Sequence, residues 1–358
     1  MKFLLAWLRA EHCPYEDLRL LIENTSTVEL SISMPDHLRL KDGLSKKTKQ
    51  AIRNYQPKSF RSQLEKQMLE NQTRIVLWRD NDYPTSLYNV DDPPPILYVK
   101  GLGQFPPSRA MAIVGSRHTT PYGRRATERF ASDLALETIT IISGFAEGID
   151  TVAHRTALKY GQTLAVLGCG IDWIYPKSNE SLYYEIANKG VLISEFPFGE
   201  KPWGHNFPFR NRLISGLSEA ILFMEGTHKS GALSTVRHGL KQGKDIYALP
   251  GDIDRKNSQG PNQLIFDGAE PLLCIEQILT NGGGPAIDKA CTDETHKLNS
   301  LSSLENVIYE MVSKEPVSVQ QLQNLSNQSI HDIVSVLTSL ELKSLIQRQG
   351  NQFYRTGR

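Results

Sequence analysis

Three features of the sequence predict an α/β protein, with an extended Rossmann-like, mainly parallel sheet between a small helical N-terminal domain and a C-terminal winged helix. First, short apolar runs alternate with helix-forming segments through the middle of the chain, as in a sheet covered on both faces. Second, the buried-strand sequence Met111-Ala112-Ile113-Val114 breaks at Gly115-Ser116-Arg117, ahead of a helical segment at 123–136. Third, the last part of the chain repeats helical apolar spacing in three blocks and closes with two β-prone runs around Gly350-Asn351.

In chain order, residues 1–75 read as a helical, SAM-like domain. Phe3, Leu4, Trp7 and Leu8 recur at helical spacing, as do Leu18, Leu21 and Ile22. Between Arg39 and Lys66 the composition turns basic (Arg39, Lys41, Lys46, Lys47, Lys49, Arg53, Lys58, Arg61), which reads as a solvated helix face. Residues 76–280 form the α/β domain. After strands near 74–78 and 96–99, strands are expected at 111–114, 138–142, 163–167, 191–193, 220–224 and 245–249. Helices are expected at 123–136, 150–160, 180–188 and 232–242, with right-handed crossovers. Asn281-Gly282-Gly283-Gly284-Pro285 opens a linker at 281–299, and residues 300–358 form the winged helix.

The 358 residues carry 40 basic and 39 acidic side chains, a net charge of +1, so attraction to a polyanion must rest on a local patch. Cys13, Cys169, Cys274 and Cys291 form no CxxC pair, which argues against a zinc site or a disulfide framework and fits the reducing cytoplasm. The apolar start, 1–8, is too short to span a membrane. No metal and no cofactor is expected.

Ligands of a parallel sheet gather outside the carboxyl ends of its strands. The loops there hold Gly115-Ser116-Arg117, Ser143-Gly144, Lys177-Ser178-Asn179, Arg210-Asn211-Arg212 and Ser230-Gly231. Turn geometry explains any one of the glycines, and helix capping explains Ser143 or Ser230 singly. Together on one edge they suit phosphate, with arginine forks as the strongest donors. The helix start after Gly115 adds partial positive charge. Phe145, Trp173, Tyr175, Trp203, Phe207 and Phe209 lie in or beside these loops. Ring faces next to phosphate donors are what single-stranded nucleic acid requires.

Other chemistries are poorly supplied. Gly168-Cys169-Gly170 lacks the third glycine of a dinucleotide fingerprint, and no Walker-type GxxxxGK[ST] occurs. There is no GxSxG elbow, and His154, His205, His228 and His238 form no metal spacing. Of the nearby carboxylates, Asp150 is expected to cap its helix and Glu195 to pair with an arginine. No catalytic residue is assigned. A nucleotide or phosphoribosyl hydrolase is the enzymatic alternative, its nearest text being Glu225-Gly226-Thr227-His228. A winged-helix transcriptional regulator is the other. Asn327, Gln328, Ser329, His331 and Asp332 give its third helix little basic charge for reading a duplex.

Many motifs in order resemble the DNA-processing protein A family (DprA, also called Smf). They are Ala-Ile-Val-Gly-Ser-Arg at 112–117, Ser-Gly-Phe-Ala-Glu-Gly-Ile-Asp at 143–150, Tyr-Pro-Lys-Ser-Asn at 175–179, Asn-Phe-Pro-Phe-Arg-Asn-Arg at 206–212, Lys-Ser-Gly-Ala at 229–232 and Ala-Leu-Pro-Gly at 248–251. The resemblance implies a non-enzymatic, cytoplasmic, single-stranded-DNA-binding recombination mediator. Such a protein dimerises through its Rossmann-like domain and helps load the RecA recombinase onto incoming DNA in natural transformation. It also implies a DNA pocket at Gly115, Ser116, Arg117, Ser143, Gly144, Lys177, Asn179, Arg210, Asn211 and Arg212. Glu147 and Phe209 stand where members of the family often carry arginine.

Overall fold

The computed structural model describes residues 2–23, 43–280, 303–312, 317–326, 328–342, 345–349 and 352–355. The expected linker, the Gly350-Asn351 turn, Arg39, Lys41, Asn327 and Cys291 lie outside them. The chain divides into two compact units between residues 279 and 280.

The first unit is built on a nine-stranded sheet. Its strands are β1 (Thr73–Leu77), β2 (Ile96–Lys100), β3 (Ala110–Val114), β4 (Thr140–Ser143), β5 (Thr163–Val166), β6 (Val191–Ser194), β7 (Ala220–Phe223), β8 (Asp245–Ala248) and β9 (Glu270–Pro271). The spatial order is β1-β2-β6-β5-β4-β3-β7-β8-β9. From β6 to β9 every pairing is parallel, while β1 and β2 join the edge antiparallel. The chain walks outward from β3 to β6, then returns to place β7 on the other side of β3. This reversal makes β3–β7 the topological switch point, where a crevice opens at the strand ends.

Strand alternation sorts the core. Met111 and Ile113 pack with α5 (Pro121–Leu136) and α6 (Ile149–Tyr160) on one face, through Phe130, Leu134, Ile149 and Ala153. Ala112 and Val114 face the opposite layer, where α8 (Asn206–Gly216) and α9 (Leu233–Lys241) supply Leu213, Ile214 and Val236. Near the antiparallel edge, α7 (Glu180–Lys189) shares a core with α1 (Lys2–Ala10), α2 (Tyr15–Glu23), α3 (Lys46–Asn54) and α4 (Pro57–Glu70). Leu5, Leu8, Leu18 and Leu21 are at most 1% exposed there. The expected boundary at 75/76 therefore needs correction. It falls inside β1, and the N-terminal helices bury their apolar faces on the sheet rather than on one another alone. Their basic side chains from Lys46 onward are mostly exposed, with Arg61–Glu65 and Lys66–Glu70 pairs, as a solvated face requires.

After α10 (Gln259–Phe266) and α11 (Glu276–Thr280), the second unit contains α12 (Ser303–Met311), α13 (Val319–Ser326), α14 (Ile330–Leu342) and an antiparallel sheet, β10 (Val317–Ser318), β12 (Gln352–Arg355), β11 (Ile346–Gln349). Three helices and a small sheet around Ile308, Leu322, Leu337 and Phe353 match the expected winged helix. Ser329 accepts from the Asp332 amide and donates to its carboxylate, so this pair caps α14. Among the described residues no helix is long and apolar enough to cross a membrane, and no group of three His, Cys, Asp or Glu side chains could hold a metal.

One expected loop is a helix. Residues 207–212 form most of the first half of α8. Pro208 fits there because the first helical N–H groups have no intrahelical partner. No amphipathic stripe announces the helix, because Asn206, Arg210, Asn211 and Arg212 are buried along with Leu213 and Ile214.

Candidate functional site

A cleft of about 740 Å³ opens at the β3–β7 switch point. Gly115, Arg117, Asp150, Tyr175, Phe207, Arg210, Asn211, Ser230 and Gly231 line it. Gly115 follows β3 at a spot that admits no side chain. A Cβ there would stand 2.8 Å from Ile149 and 2.9 Å from the Glu225 carbonyl.

The helix start expected to receive an anion already holds one. The buried Glu225 carboxylate accepts from the Thr120 amide at 2.9 Å and from both the Thr119 and Thr120 hydroxyls. It also sits where a Cβ on Gly123 would go. The N-terminus of α5 is thus internally neutralised, and phosphate attraction falls to side chains.

Arg117 is exposed and makes no hydrogen bond or ion pair among the described residues, its guanidinium lying 6.0 Å from the Phe207 ring centre. Arg210 stands 5.8 Å from the same ring. It is 3% exposed and is fixed by the carbonyls of Gly144 and Val166 and by Asn211. Its Nη2 has no hydrogen-bond partner among the described residues. Burial draws its pKa down to about 10. Tyr175, 42% exposed, lies against Phe207 with ring centres 5.6 Å apart. Two cations beside one accessible ring can hold a phosphodiester and stack a base.

Arg212 is the correction among the expected contacts. Two residues along a helix turn about 200°, so Arg210 and Arg212 point to opposite sides. Arg212 makes a bidentate pair with Glu195, both distances 2.6 Å and both side chains essentially unexposed. Tyr15 donates to the same carboxylate at 2.7 Å, and Phe209 stacks 3.8 Å from the Arg212 guanidinium. The pairing expected for Glu195 is therefore present, and it uses the arginine that was expected to hold phosphate.

Other expected residues shape the cleft. The Ser143 hydroxyl donates to the Ile113 carbonyl at 2.6 Å, tying β4 to β3 rather than capping a helix. Asp150 accepts from the amides of Gly144 and Ala146, closing the loop ahead of α6. That loop holds Phe145 at φ 61, rare for an aromatic residue. Burial pushes the Asp150 carboxyl up to about 6, against the pull of these amides and of Arg210. Asn179 donates to the Phe145 carbonyl and to Thr151, bracing the same loop. Ser116 folds onto His118 in a local turn. Lys177 is exposed beside Ser178, whose hydroxyl donates to Glu147 at 2.6 Å. Glu147 thus clamps two loops at the mouth of the cleft. Ser230 and Gly231 form the wall ahead of α9. The reading of 207–212 as a loop missed Phe207 as the ring that two arginines approach. Its signal was the spacing Phe207/Arg210 and Phe209/Arg212, two i,i+3 pairs that place one Phe–Arg set on each side of a helix.

A family model described as DNA recombination-mediator protein A matches residues 74–282. The chain is 34% identical over 313 residues to Protein Smf of Synechocystis sp., covering 77% of this chain and 78% of that one. It is 40% identical over 242 residues to Protein Smf of Escherichia coli, covering 67% and 64%. Among solved structures it is similar to DNA processing protein A of Streptococcus pneumoniae, with TM-score 0.68 and 28% identity over 78% of this chain and 97% of that one. It is also similar to DNA processing protein A of Helicobacter pylori, with TM-score 0.53 and 30% identity over 59% and 95%. That structure is described by its single-stranded DNA binding mode.

Proposed function

Since the chain belongs to the DNA recombination-mediator protein A family, we propose that its switch-point cleft binds single-stranded DNA. The observation that carries this reading is the Arg117–Phe207–Arg210 arrangement, one ring with two guanidinium groups at 6.0 and 5.8 Å from its centre in an open cleft. Arg117 holds the backbone, Phe207 and Tyr175 offer faces to bases, and Arg210 supplies fixed charge from the wall. A duplex hides its base faces and gains only the charge. Loading of RecA onto the bound strand, and action as a homodimer, belong to the same proposal.

The test is a competition titration on the full chain with ssDNA, duplex and mononucleotides. The full chain is needed because the N-terminal helices share the core of the sheet. Single strands should win, with a salt slope of roughly −0.7 per phosphate held. Arg117→Ala should weaken every ssDNA sequence alike and should not accelerate RecA filament formation as the wild type does. Wild-type affinity in Arg117→Ala would place the DNA elsewhere. The hydrolase alternative receives little support from its named carboxylates. Glu195 is locked to Arg212, Glu225 caps α5, and Glu147 bonds Ser178. For the winged helix we propose a weak DNA or protein contact, since Ser329 and Asp332 are engaged with each other.

A further inference from the structure

The segment 202–209 has two sides. Pro202, Gly204 and Phe207 face the switch-point cleft. Trp203, His205, Asn206 and Phe209 face a second pocket of about 450 Å³, closed beyond by Arg9, His12, Phe196 and Glu200. The two cavities share this one stretch of chain as their common wall.

Trp203 is 52% exposed, so its indole offers a free face to the pocket. Arg9 is 8% exposed, and its Nε donates to the Glu195 carbonyl at 3.3 Å. Its two terminal nitrogens make no hydrogen bond or ion pair among the described residues. The Arg9 guanidinium rests 4.6 Å from the Tyr15 ring centre, which fixes the charge in place. The neighbouring Glu195 carboxylate takes its hydrogen bonds from Arg212 and Tyr15. Exposed His12 and His205 add ring donors, and Glu200 is the one carboxylate lining the pocket among the described residues. A buried guanidinium with open donors beside an exposed indole has the chemistry of a nucleotide site, phosphate on one and base on the other.

We propose that the pocket is a second nucleotide station for the same single strand. The strand crosses the 202–209 ridge from the switch-point cleft, stacks a base on Trp203 and sets a phosphate toward Arg9. This rests on the cleft being the first station.

The experiment is a length series of oligothymidylates titrated by fluorescence anisotropy against the full-length wild type, Trp203→Ala, Trp203→Phe and Arg117→Ala. Trp203 is exposed, so its replacement leaves the core intact, and a far-UV spectrum confirms it. The shortest strands that bind should bind wild type and Trp203→Ala equally. Longer strands should lose roughly five- to a hundredfold in Trp203→Ala, the size of one base–aromatic stack. Trp203→Phe should recover most of the loss. Trp203→Ala matching wild type at every length, or losing equally at every length, overturns the second station. A loss in Arg117→Ala alone leaves the first station standing. No loss in either variant overturns both.

Discussion

Arg117 and Arg212 share a residue type but have opposite expected phenotypes, one exposed at the cleft and the other buried on Glu195. Arg212→Ala leaves Glu195 buried without its partner, and breaking such a pair costs about 3–5 kcal/mol. Chemical denaturation should show that loss, and any fall in ssDNA affinity should follow the unfolded fraction. Arg117→Ala should do the reverse, with stability near wild type and a salt slope shallower by roughly 0.7. Asp150 sets a pH response on the cleft floor. With its carboxyl pushed up to about 6, it is ionised and opposes phosphate above that pH. Below it the group is neutral and the cleft gains positive charge. Affinity for ssDNA should therefore rise as pH falls through about 6, and Asp150→Asn should flatten the rise. Between pH of about 4 and 6 the folded chain keeps a proton that the unfolded chain releases. This group's contribution to stability therefore falls as pH rises through that window.

Among elements, strands were the most legible. The apolar runs at 111–114 and 220–224 lie within a residue of β3 and β7, because buried parallel strands are apolar on both faces. The helix α8 was illegible for a related reason. It is buried nearly all round but uses polar side chains that find partners inside, so its hydrophobic period vanishes. Gly115 was read as the end of its strand, and the structure adds that Ile149 and the Glu225 carbonyl leave no room there for a side chain. Glu225 was not read as the cap of α5, since its partners are more than a hundred residues away in sequence. The glycine turn makes its own prediction. Gly115→Ala must push Ile149 and the Glu225 backbone aside, at a cost of about 1–3 kcal/mol. Thermal unfolding should record the loss, and ssDNA affinity should drop with it as the two flanking loops separate.

At the scale of the molecule, the N-terminal helices belong to the same packed body as the sheet. Removal of residues 1–72 would expose the core around Ile75, Tyr98 and Leu192, and the truncated chain should aggregate where the full chain is dispersed. The proposed homodimer has a natural seat at the other end of the sheet. Ile253 and Phe266 are 85% and 86% exposed and line one open depression near β8 and β9. Phe266→Glu should shift sedimentation from dimer to monomer, and an unchanged coefficient would move the contact elsewhere.

The carboxylate of Glu225 at the start of α5 carries a wider meaning for what this fold will accept. In a nucleotide-binding relative of this architecture, that niche would give a lone terminal phosphate its main reward. Here the niche is occupied from within, so a free mononucleotide meets no single strong grip. Attraction has to accumulate over successive weak contacts along a polymer, each made effectively intramolecular by the one before. If the cleft binds single strands as proposed, affinity should grow steeply with strand length. On the proposed function, mononucleotides and short fragments should bind poorly and long single strands should be retained.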